Sequence, residues 1–112
     1  MALLTLQTMT AAGLAPTTVA ASGGGDTVAL ASATDDRSFL QVTNGGASSI
    51  TVTITDPGLT PAGNAATNPT VTVAAAATKN IPLAPALVNA STGVISISYS
   101  ATTSVTVAAI RR

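Results

Sequence analysis

Residues 49–55 read Ser-Ile-Thr-Val-Thr-Ile-Thr, an unbroken alternation of apolar and polar side chains. Successive side chains of a strand point to opposite faces, so Ile50, Val52 and Ile54 share one face and Thr51, Thr53 and Thr55 the other. The pattern predicts a half-buried strand whose solvent side is threonine, a β-branched residue that suits strands and stays hydrated. Asp56-Pro57-Gly58 ends it, since proline cannot donate to a ladder and glycine accepts turn dihedrals.

The same signature recurs at short intervals. Leu4, Leu6 and Thr8 alternate in a first strand reaching about Thr10. Residues 27–31 form a short strand after the Ser22-Gly23-Gly24-Gly25-Asp26 loop, and residues 38–43 form another after the polar turn Thr34-Asp35-Asp36-Arg37. In that strand Phe39 and either Leu40 or Val42 are expected to point inward. Asn44-Gly45-Gly46 then reads as a hairpin leading into the Ile50 strand. Residues 70–73 make a strand, and residues 79–83 an edge strand, because Pro82 and Pro85 remove donors there. Residues 94–99, with Ile95, Ile97 and Tyr99 alternating, and 104–110, with Val105, Val107 and Ala109, complete the set. Residues 74–79 are too short and uncapped to be read as a helix.

About seven or eight short strands at near-regular spacing predict an all-β fold, an antiparallel β-sandwich of Ig-like or jelly-roll-like type. Residues 1–26 read as an N-terminal strand or arm followed by the flexible Gly-rich loop, and residues 27–112 as the sandwich domain. Residues 57–69 make a loop of about a dozen residues, long enough to be read as partner-contacting.

Composition narrows the chemistry. The 112 residues include four basic and four acidic side chains, with no histidine, cysteine or tryptophan. Disulfides and most zinc or transition-metal sites are excluded. Four scattered cations make no nucleic-acid footprint, and no apolar run is long enough for a membrane span. Residues 1–21 lack the cationic start and unbroken apolar stretch of a signal peptide, so synthesis in the cytoplasm is expected. General acid–base work is confined to Asp26, Asp35, Asp36, Asp56, Lys79 and Tyr99. Asp35-Asp36 reads as a solvated turn, and the oxygens of Asp26, Asp35, Asp36, Asn44 and Asp56 lack calcium-loop spacing. No histidine is present to activate a serine or threonine, and Gly23-Gly24-Gly25 lacks the Lys-Ser/Thr ending of a phosphate loop. Asn89-Ala90-Ser91 matches a glycosylation sequon, which matters only in a secreted chain. No catalytic, cofactor-binding or metal-ligating residue is assigned, and no cofactor is expected. Phe39 and Tyr99, the only aromatics, are read as core, with the Tyr99 hydroxyl reaching a partner.

The surface carries its own message. With one lysine and no glutamate, the chain has little charge to keep copies apart or to guard sheet edges. Metals and disulfides being excluded, a small core is expected to be supplemented by oligomerisation or by docking on a larger body.

Two stretches carry a resemblance. Asp36-Arg37-Ser38-Phe39-Leu40-Gln41-Val42-Thr43-Asn44-Gly45-Gly46, running into residues 50–54, is one. Gly93-Val94-Ile95-Ser96-Ile97-Ser98-Tyr99-Ser100, running through residues 105–110, is the other. Together they resemble the small all-β virion structural proteins of tailed bacteriophages. The resemblance implies a capsid decoration (cement) protein, not an enzyme, bound on the outer surface of the phage head. Its implied partners are the major capsid protein and further copies of itself, a trimer above all. It implies no direct contact with nucleic acid or membrane. A tail or head–tail completion protein, or a secreted Ig-like adhesion or sugar-binding domain, are the alternative readings.

Overall fold

The structure, a computed structural model, describes residues 2–31, 35–65 and 67–112. Thr34 of the expected polar turn lies outside the described residues, as does one residue of the 57–69 loop. Ten strands are formed among the described residues: β1 (Ala2–Leu4), β2 (Leu6–Thr8), β3 (Val19–Ala20), β4 (Asp26–Val28), β5 (Ser38–Asn44), β6 (Ile50–Ile54), β7 (Thr70–Val73), β8 (Thr78–Pro82), β9 (Ile95–Tyr99) and β10 (Val105–Arg111). A single 3₁₀ turn, Pro85–Leu87, is the only helical element among them.

The strands make two sheets. One has the order β1-β4-β9-β6-β7, the other β2-β10-β5-β8, with β3 also on β10. From β3 onward the antiparallel pairs nest inside one another: β3 with β10, β4 with β9, β5 with β8, β6 with β7. That is the pairing of one long two-layered ribbon folded over so that its two arms alternate between sheets. The parallel pairs β1–β4 and β2–β10 make both sheets mixed.

Alternation decides what fills the space between the sheets. Ile50, Val52 and Ile54 are buried while Thr51 and Thr53 are partly exposed, and β9 likewise buries Ile95 and Ile97 and packs Tyr99 against the core. Leu40, Val42, Val105 and Val107 face them from the second sheet. Each such side chain contributes about 1.5–3 kcal/mol on burial.

The β5 strand corrects two expectations. Its buried residues are Ser38, Leu40, Val42 and Asn44. Leu40 and Val42 therefore point inward together, and Phe39 takes the outer face, half-buried, directly across from Ile110. The second correction concerns Asn44-Gly45-Gly46, which does not form a hairpin: β5 and β6 lie in different sheets. The Asn44 side chain holds this crossing. Its Nδ2 donates to the carbonyls of Ser48 (2.8 Å), Val73 (3.2 Å) and Ala74 (3.3 Å), and its Oδ1 accepts from the Gly46 N–H (3.0 Å).

The β8 strand is an edge, as its prolines predict. The Leu83 N–H donates to the Ser38 carbonyl, so alternate positions 79, 81 and 83 face β5 and the missing N–H of Pro82 falls on the free side.

Candidate interaction surface

The N-terminal strand is shared between the sheets. Residues 2–4 pair with β4 in one, the chain crosses at Thr5, and residues 6–8 pair with β10 in the other. Leu4 is pulled into the core at 5% exposure, whereas Leu3 beside it is 64% exposed. The segment read as a strand or arm thus adds a short strand to each sheet. Beyond β2 the chain loops out and returns as β3, antiparallel to β10 at Val107 and Thr106. Gln7 closes that loop: its Nε2 donates to the Thr17 carbonyl and its Oε1 accepts the Thr17 N–H, both at 2.8 Å. One side-chain amide here reproduces the pairing of a strand residue.

A groove of about 480 Å³ opens where β1, β3 and β10 converge. It is lined by Leu3 and Leu4, by Val19 and Ala20, and by residues 107–109 of β10. Thr5, Gln7 and Thr17 are its polar residues, and the Gln7 amide is already engaged with Thr17. No titratable side chain lines it. The groove offers burial for an apolar group and no acid, base or nucleophile pair for chemistry.

The chain's few charged and acidic side chains lie elsewhere. Asp35 is buried near one end of the sandwich, where Oδ2 accepts from the Ser38 hydroxyl (2.7 Å) and the Ala31 N–H (3.1 Å) and Oδ1 from the Arg37 N–H (3.1 Å). Arg111 Nε stands 3.4 Å from Oδ1, an ion pair without hydrogen-bond geometry. Burial pushes the Asp35 pKa up, but the Ser38 and backbone hydrogen bonds, together with the Arg111 charge, hold it below the ordinary carboxylate value. Asp26, also buried, takes the Tyr99 hydroxyl on Oδ2 at 2.8 Å and a longer bond from the Ser22 N–H at 3.3 Å. Burial first, and then the Asp26 hydrogen bond and charge, raise the Tyr99 pKa far above its usual value. Gly25, at φ +91°, makes this corner feasible, since a Cβ there would meet the Ile97 carbonyl oxygen at 2.5 Å. These are supports of the fold. Among the described residues no three potential metal-ligating acids gather. Asn89 of the sequon uses its Oδ1 to accept from the Ser91 N–H in a turn.

The 57–69 loop is not slack. Leu59 and Ala65 form a bridge, the Thr60 N–H donates to the Asn64 carbonyl (2.7 Å), and the Gly63 N–H to the Thr60 carbonyl (2.8 Å). Asn68 Oδ1 takes the Asp56 N–H at the base. The tip is a small hairpin on which Leu59 is 70% exposed.

Sequence reading picks out this loop by its length and misses the groove entirely, because the groove's walls come from segments about a hundred residues apart in the chain. Comparison of the chain with protein-family models, with curated proteins and with solved structures finds no match.

Proposed function

We propose that the sandwich is a jelly roll and that the protein is a structural virion component, a decoration protein on the outer surface of a tailed-phage head. The observation that carries the reading is the nested pairing of β3 to β10, which gives two four-stranded sheets from a single folded ribbon. Jelly rolls with this arrangement recur in viral capsid proteins. The surface supports it. Eight charged residues in 112, a groove without titratable groups and an exposed leucine on a braced hairpin suit a protein that works by being bound in many copies. Such a protein stabilises a shell by mass action: whatever binds the assembled state and not its separated subunits shifts the equilibrium toward assembly.

The test is addition of purified protein to phage heads that lack it. Saturable binding to the outer surface, seen by cryo-electron microscopy, and heads that resist heating longer are expected. Density confined to the tail, or heads that bind nothing, would remove the reading.

A further inference from the structure

Four large apolar side chains stand in solvent among the described residues: Leu3, Met9, Val19 and Leu59. Leu3 and Val19 line the groove. Leu59 is on the hairpin between β6 and β7, the last two strands of the sheet whose other edge is β1. Groove and leucine are therefore at opposite sides of one sheet, and no movement within a folded molecule joins them. Two molecules can.

We propose that Leu59 of one copy seats in the Leu3–Val19 groove of a second copy, so that the chain associates head-to-tail with itself. The hairpin is already ordered by its bridge and by the Thr60, Gly63 and Asn64 hydrogen bonds, and Pro57 and Pro61 stiffen its flanks. Little conformational freedom remains to be lost when it docks. The groove is larger than one leucine side chain requires, which leaves room for Pro61 beside it. No charged residue lines the groove and none lies within residues 57–65, so docking strips water from no ion. With a formal net charge of zero, copies do not repel one another. Contacts between two different patches repeat from copy to copy and close as a ring when the rotation permits, three copies being the closure at 120°. The inference rests on these two surfaces and not on the capsid reading; absence of head binding leaves it standing.

The chain contains no cysteine, so introduced ones are unique reporters. Leu59→Cys and Val19→Cys, both at exposed positions, are oxidised separately and as an equimolar mixture, with the exposed Ala47→Cys as collision control. Disulfide-linked dimers are expected in the mixture at roughly tenfold the yield of either variant mixed with the control, because docking raises the local thiol concentration. Dimers of Leu59→Cys alone at the same yield would show a two-fold contact and overturn the proposal, as would no excess over the control. Light scattering supplies a second reading: Leu59→Asp is expected to run as a monomer with an unchanged circular dichroism spectrum. An oligomer that persists in Leu59→Asp overturns it equally.

Discussion

The hydroxyl of Tyr99 donates to Asp26 Oδ2 at 2.8 Å, joining the end of β9 to the start of β4 across the inner side of the sheet. Asp26 Oδ1 has no hydrogen-bond partner among the described residues, so this bond and the longer one from Ser22 are what its buried carboxyl relies on. Tyr99→Phe is expected to cost about 1–3 kcal/mol, the penalty for leaving a buried acceptor unmet, read as a lower urea midpoint at neutral pH. The pKa of Tyr99 is higher in the folded state than in the unfolded chain, so its contribution is complete below the ordinary tyrosine value and fades as pH rises above it. Wild-type stability should therefore fall above about pH 10. The Phe variant should lack that component of the decline; an equally steep alkaline loss in both proteins would contradict the assignment.

Asp35 sets the acid side. Its folded pKa lies below the ordinary value, so its stabilisation is present above about pH 4 and is lost as pH falls through the lower folded value. Asp35→Asn cannot accept on both oxygens from Ser38, Ala31 and Arg37. We expect it to lose about 1–3 kcal/mol at pH 7 and to show a shallower acid decline than the parent, measured by denaturant unfolding across pH 2–7.

Asn44→Ala should destabilise by about 1–3 kcal/mol, because the carbonyls of Val73 and Ala74 lose their side-chain donor where the chain passes between sheets. Calorimetry would register it as a lower melting temperature. Were Asn44 an ordinary hairpin residue, the change would be within about 0.5 kcal/mol of neutral.

Adjacent leucines should behave in opposite ways. Leu4→Ala empties a core position and is expected to cost about 2–4 kcal/mol. Leu3→Ser, at an exposed site, should alter unfolding by less than about 0.5 kcal/mol and instead weaken self-association in sedimentation. Equal losses of stability in the two variants would show that the N-terminal strand is not divided between core and surface as described.

What was legible in the sequence was local. The Ile50, Val52, Ile54 and Ile95, Ile97, Tyr99 alternations fix which face is buried, because no shift of one residue leaves the apolar set together. The Tyr99 hydroxyl's need for a partner follows from burial alone. In β5 the parity was hidden: polar Ser38 and Asn44 occupy its inward ends and Phe39 its outward face, so apolar residues occur in both phases. Asn-Gly-Gly supplies a sharp reversal whether the next strand pairs beside the last or crosses to the other sheet. The choice is made by later segments, since β6 takes β7 and β9 as its neighbours while β5 takes β8 and β10. The groove was equally out of reach, since Leu3, Val19 and Ala108 meet only because β2 and β3 both pair with β10, about a hundred residues along the chain.

The parallel alignment of β2 with β10 has a mechanical meaning. Residues 6–8 and 109–111 run side by side in the same direction, and the Met9 N–H bonds to the Arg111 carbonyl at 2.8 Å. Tension that draws residue 2 away from residue 111 therefore slides these strands along each other, so their hydrogen bonds share the load and break together. In force spectroscopy, pulling along this line should require more force than pulling across the β5–β8 edge, where bonds unzip in succession. A chain without cysteine would in this way hold β2 and β10 together under strain.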